Sequence, residues 1–216
     1  MKRCVIIFVS VLAVVVFGTQ VNAQTIDLIS QTYHIYGSVF GPPLPAPIVF
    51  DITSSVPPLS APPPPSQPST YWDIHSDGGT SGSSLFIDIA ASNQGFTYGS
   101  ASADLVFLPI GASYLDLSYT LREGFGETSL TLSDLTTSVT LVSPHIGLGE
   151  STTGSVEVPV VPSDIYELSA MASCTSDFAW ASATITAAPE PATMLLVASG
   201  LVWLVGCRRK FKGVNV

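Results

Sequence analysis

From residue 84 onward the chain alternates apolar and polar positions with a period of two. Leu85, Ile87 and Ile89 alternate with Phe86, Asp88 and Ala90, and Leu115, Leu117, Tyr119 and Leu121 with Tyr114, Asp116, Ser118 and Thr120. The same holds for Leu130 and Leu132, for Val139 and Leu141, and for Tyr166, Leu168 and Ala170. In the last run Phe178, Trp180, Ser182 and Thr184 fall opposite Ala179, Ala181, Ala183 and Ile185. Successive side chains of a strand point to opposite faces, so this pattern predicts half-buried β-strands. Turn formers separate the runs: Asp77-Gly78-Gly79, Asn93-Gln94-Gly95, Pro109-Ile110-Gly111, Glu123-Gly124-Phe125-Gly126 and Ser143-Pro144. No apolar stretch of helical period reaches ten residues between 24 and 188. The expected fold is all-β, a β-sandwich of jelly-roll or immunoglobulin-like topology.

Two stretches depart from that pattern. Residues 24–40, with Ile26, Leu28, Tyr33, Ile35, Tyr36 and Val39, read as one or two short strands. Residues 42–68 hold eleven of the seventeen prolines, including Pro62 to Pro65 in a row. Proline donates no backbone hydrogen bond, so a central strand or helix interior is ruled out there. A stiff spacer or irregular loop is expected, with Ile48, Val49, Phe50 and Ile52 as a brief edge strand.

The two ends follow other rules. Lys2 and Arg3 precede an apolar run from Val5 to Phe17, and Val21-Asn22-Ala23 supplies the small residues of a cleavage site. The run is short for a bilayer span, which takes roughly 20 residues. Residues 1–23 therefore read as a signal peptide, cut by signal peptidase between Ala23 and Gln24. At the other end, Ala192 to Cys207 carries no charge and is followed by Arg208, Arg209, Lys210 and Lys212. Sixteen helical residues span about 24 Å, slightly short of a hydrocarbon core of about 30 Å, and the arginines can snorkel to cover the difference. Residues 192–207 are expected to form a transmembrane helix, with the basic end 208–216 held in the cytoplasm. Residues 24–188 would then be an extracytoplasmic β domain.

Charge narrows the function of that domain. Between 24 and 188 a single base, Arg122, faces fifteen acids, a net charge near −14. Such a surface repels phosphate backbones, so nucleic acid is excluded as a partner. Acidic polymers could be held only through bridging cations or neutral hydrogen bonds. Cys174 is the domain's one cysteine, so no disulfide can form within it, and it reads as a small buried apolar residue.

Candidate chemistry is sparse. His34, His75 and His145 lack zinc-ligand spacing. Asp73 and Asp77 sit at alternate positions like calcium-loop ligands, but Ser84 stands where an EF-hand places glutamate, leaving a weak calcium candidate. Gly78-Gly79-Thr80-Ser81-Gly82 lacks the order of a nucleophile elbow and reads as a flexible hairpin loop. No catalytic residue and no cofactor is predicted. Tyr71, Trp72 and Trp180 could stack on sugar rings, or fill the core.

Pro189-Glu190-Pro191, a short apolar stretch and a terminal basic cluster together resemble the PEP-CTERM sorting signal. The resemblance is confined to about residues 188–213, within a tail of residues 189–216. It implies export in an exopolysaccharide-producing Gram-negative bacterium. It also implies that an exosortase recognises Pro189, Glu190 and Pro191, and that the protein passes through a transient inner-membrane anchor to the cell surface or extracellular matrix. The expected role is structural or adhesive, with exopolysaccharide as partner. The alternatives are a carbohydrate-binding module and a secreted glycan hydrolase. Exposed aromatics on one sheet face would favour the first alternative, and a cleft with two nearby carboxylates the second.

Overall fold

A computed structural model describes residues 24–39, 48–61, 71–94, 97–175 and 177–188. Thirteen strands follow in order: β1 (Thr25–Val39), β2 (Ile48–Ser54), β3 (Leu59–Ser60), β4 (Tyr71–Ser81), β5 (Ser84–Gln94), β6 (Thr97–Ile110), β7 (Tyr114–Glu123), β8 (Gly126–Asp134), β9 (Val139–Val142), β10 (His145–Ile146), β11 (Ser151–Pro159), β12 (Tyr166–Cys174) and β13 (Phe178–Ala188). The first sheet runs β10-β8-β12-β6-β1-β2, with β9 also on β8, and the second runs β11-β7-β13-β5-β4-β3. All pairings are antiparallel. The expected β-sandwich is therefore what forms. Among the described residues no helix is long and apolar enough to cross a membrane. The predicted transmembrane stretch, the basic cluster, the sorting motif and the cleavage site at Ala23 lie outside the described residues.

The alternation explains the core. Leu85, Ile87 and Ile89 of β5, Leu115, Leu117 and Leu121 of β7, Leu130 and Leu132 of β8 and Leu168 of β12 are fully buried. The partners they meet are often small: Ala101 and Ala103 on β6, Ala172 on β12, Ala179 and Ala181 on β13. Large against small lets two inner faces interdigitate at interior density. Cys174 is buried, and its thiol lies 3.0 Å from the Ala91 carbonyl oxygen.

Three local expectations are revised. Residues 25–39 form a single long strand, interrupted by a register shift between Leu28 and Ser30, which leaves Ile29 exposed. Asp77-Gly78-Gly79 is strand interior rather than turn, because β4 continues to Ser81 and the chain reverses at Gly82, whose φ is +63°. Within the proline-rich segment β2 is the expected edge strand on β1, and a two-residue β3 adds to β4.

Short connections between sheets give the sandwich two poles. β6 crosses to β7 through 111–113 and β11 to β12 through 160–165, at the same pole as the turns 82–83 and 135–138. The opposite pole carries 124–125, 147–150 and 175–177.

Candidate functional site

The outer face of the second sheet gathers the domain's most varied chemistry. Alternation on β13 sends its alanines inward and Trp180, Ser182 and Thr184 outward. β13 lies between β7 and β5, so three rows can be read across the sheet. Arg122, Trp180 and Ala90 share one row; Thr120, Ser182 and Asp88 the next; Ser118, Thr184 and Phe86 the third. Edge strand β11 extends the second row with Thr153.

Side chains connect these rows. The Trp180 indole N–H donates to Asp88 Oδ1 at 2.7 Å. The Arg122 guanidinium lies 5.5 Å from the centroid of the Trp180 ring, within cation–π range. Ala90, beside Trp180, leaves room for the indole to lean toward Asp88. A shallow depression of about 290 Å3 lies over the neighbouring rows, lined by Ser118, Thr120, Thr153, Ser182 and Thr184 together with Tyr119, Gly154 and Ala183. Glycine at 154 matters, since a Cβ there would overlap the outer end of the Tyr119 ring. The face thus offers guanidinium donors, a carboxylate acceptor, an aromatic surface and a field of hydroxyls. It holds no strong nucleophile paired with a base.

The other sequence candidates lie apart. Asp73, His75 and Asp77 project from one face of β4; Asp77 accepts from the Gly78 N–H at 2.7 Å, and Asp73 lies 3.4 Å from His75 Nδ1. Four residues of strand separate the two aspartates by about 13 Å, so one ion cannot join them directly. Among the described residues no three His, Cys, Asp or Glu side chains are arranged to hold a metal. His34 pairs with Asp51 at 2.7 Å on the first sheet, and His145 lies on the edge strand β10. Tyr71 and Trp72 fall in β4, but their side chains lie outside what is described.

Two carboxyls depart from ordinary behaviour. Glu123, at the end of β7, is 3 % exposed. Thr128 donates to its Oε2 at 2.8 Å, while its Oε1 is buried with no partner. Burial pushes its pKa up, the Thr128 hydrogen bond and the Gly124 N–H oppose this, and Asp177 and Glu127 reinforce it. On the first sheet, burial and then Asp104 raise Glu167. Asp104 and Glu167 sit diagonally on β6 and β12, on an outer sheet face rather than in a cleft between the sheets.

The raised pKa of Glu123 predicts a pH-dependent contribution to stability. Its folded pKa is raised, so its charge is tolerated less well folded than unfolded. Its contribution is most favourable below the ordinary value of 4.5 and is lost as pH rises through the folded value. Glu123→Gln is therefore expected to flatten the melting-temperature profile on the acid side while leaving the protein at least as stable near neutrality. Thermal melts of both proteins across about pH 4 to 8 check this; an unchanged profile would place the pH dependence elsewhere.

Trp180 stands out in the sequence, but its partners do not. Arg122 and Asp88 lie on strands remote in sequence, and only the pairing of β13 with both neighbours unites them.

No curated protein matches the chain. Several solved structures resemble it loosely. The carbohydrate-binding module TmCBM61, in complex with β-1,4-galactotriose, is 11 % identical with a TM-score of 0.34, covering 54 % of this chain and 88 % of its own. A carbohydrate-binding module from Cellvibrio mixtus lichenase 5A, in complex with cellotriose, is 12 % identical with a TM-score of 0.28, covering 57 % and 91 %. The C-terminal module of a laminarinase from Zobellia galactanivorans is 14 % identical with a TM-score of 0.29, covering 56 % and 93 %. The family model of the PEP-CTERM protein-sorting motif matches residues 187–210. It starts on the last two residues of β13 and takes in Pro189, Glu190 and Pro191. With a β-sandwich ahead of that motif, the chain is an exported protein carrying a PEP-CTERM sorting tail.

Proposed function

We propose that this exported protein is a non-catalytic surface or matrix component that adheres to neutral polysaccharide through the outer face of its second sheet. The observation that carries the reading is Trp180, held by Asp88 and Arg122 one row along the sheet from a depression lined by Ser118, Thr120, Thr153, Ser182 and Thr184. A sugar ring has an apolar face and a fringe of hydroxyls. An aromatic ring suits the first, and adjacent donors and acceptors suit the second. The net charge near −14 across residues 24–188 favours an uncharged polymer over an acidic one. The tail adds the route: signal peptidase and exosortase as processing enzymes, a transient span at residues 192–207 with Arg208, Arg209, Lys210 and Lys212 inside, and release to the cell surface. An open face without a reacting pair in a cleft supports adhesion over hydrolysis.

The full-length chain in detergent micelles, screened on an array of neutral glycans, tests this. Binding to at least one class is expected, weakened about tenfold by Trp180→Ala, the loss of one stacked aromatic and its contacts. Asp88→Ala should weaken it less, by releasing the indole N–H. Absence of binding to every glycan, or binding indifferent to Trp180→Ala, would overturn the assignment.

A further inference from the structure

The described chain begins and ends at one pole of the sandwich. Thr25 at the start of β1 pairs with Ile110, the last residue of β6. Ala188 at the end of β13 pairs with Tyr114, the first residue of β7. The turns 82–83, 111–113, 135–138 and 160–165 close this pole.

Its rim is apolar. Ile110, Leu135, Val139, Val161 and Ile165 are all exposed there, Leu135 by 42 % and Val161 by 52 %. These side chains stand on loops that are fastened to one another. The Leu135 N–H donates to the Ile165 carbonyl at 2.8 Å, and the Ile165 N–H to Thr136 Oγ1 at 2.9 Å. The Val161 N–H donates to the Tyr166 hydroxyl at 2.9 Å, and Asp134 accepts from the Thr136 and Thr137 N–H groups. A rim already fixed in place loses little freedom on binding.

We infer that this pole rests on the bilayer surface while the tail is in the membrane, with Leu135, Val161 and Ile165 entering the headgroup layer. The inference rests on the reading of residues 192–207 as the membrane span. Three residues, Pro189 to Pro191, separate Ala188 from Ala192. Four Cα–Cα steps reach about 14 Å at full extension, so the pole is held against the lipid whatever its orientation. At such tether lengths the effective concentration is high, and a contact too weak to recruit a free protein still forms. The attraction is apolar, because Arg122, the only Arg or Lys in residues 24–188, sits near the opposite pole beside Glu123. A neutral lipid surface is therefore the matching partner, and salt should not loosen it. The sorting motif would then be read in the narrow gap between the sandwich and the lipid.

The test uses the chain as signal peptidase would leave it, from Gln24 to Val216, in phosphatidylcholine vesicles, with Cys207→Ser; Cys174 is buried. Alkaline flotation first reports whether the chain is inserted. Nitroxide labels are then placed one at a time by Leu135→Cys, Ile165→Cys and Leu148→Cys; Leu148 is 66 % exposed at the opposite pole. The expected result is a ratio of oxygen to nickel-chelate collisions severalfold higher at 135 and 165 than at 148, unchanged by added salt. Equal ratios in floating vesicles would overturn the contact while leaving the membrane span intact. Failure to float would overturn both. Spin–spin broadening at 135 that falls on dilution with lipid would assign the rim to a second copy instead.

Discussion

Gly126→Ala is expected to cost about 3 kcal/mol, the upper range for forcing atoms into a packed interior. Gly126 opens β8 directly after the hairpin 124–125 and pairs with Cys174 at the end of β12. An added Cβ would overlap the Ser173 carbonyl group and the Cys174 Cα. Both belong to backbone, so no side chain can swing aside. Relief requires β8 to move away from β12, and that pairing runs without a break from Gly126 to Asp134. Two other glycines make the comparison sharp. At Gly154 the Cβ would meet only the outer end of Tyr119, which can turn. At Gly147 nothing lies within 4 Å. Urea unfolding of the three alanine variants should rank Gly126 far below Gly154, with Gly147 near the parent. Equal effects at all three would mean that close strand approach at Gly126 contributes nothing specific.

The fold was legible where burial enforces alternation. The alanine face of β13 and the leucine face of β7 are buried as their spacing demands, because a one-residue slip would turn either strand inside out. Glycine misled at Gly78. Its lack of a side chain serves close packing, with the Phe86 carbonyl and Leu105 at 3.0 and 3.2 Å from where a Cβ would sit, while the chain turns at Gly82. The candidate site was legible only in part. Trp180 stands out as an aromatic at an outward position, but its chemistry comes from Asp88 and Arg122. Those positions are fixed by strand order, and local pattern carries no record of strand order. The apolar rim was hidden for the same reason. Leu135, Val161 and Ile165 read as scattered loop residues until antiparallel pairing brings their loops to the pole where β13 ends.

Phe107→Ala is expected to cost about 3–5 kcal/mol, because it empties a fully buried site. Its ring lies 6.1 Å from that of Tyr166, tilted by 31°, and its position on β6 is flanked by Leu28 on β1 and Tyr166 on β12. The neighbours that could fill the hole are strand residues held by their ladders, so collapse is limited and the cavity term stays large. The loss should also be unevenly felt. Tyr166 is 1 % exposed, and its hydroxyl accepts from the Val161 N–H. Releasing the Tyr166 ring loosens that bond, and with it the loop 160–165 that carries two of the apolar rim residues. Amide hydrogen exchange should therefore speed up at Val161 and Ile165 more than at Glu150 and Gly149 of the opposite pole, at denaturant concentrations well below the unfolding midpoint. Phe107→Leu, which keeps most of the volume, should restore both stability and protection. If the alanine variant loses stability while exchange rises equally at the two poles, the Tyr166 hydroxyl is not what fixes the rim. The loops of the rim would then owe their order to the Leu135–Ile165 and Ile165–Thr136 hydrogen bonds and to Asp134, which accepts from Thr136 and Thr137.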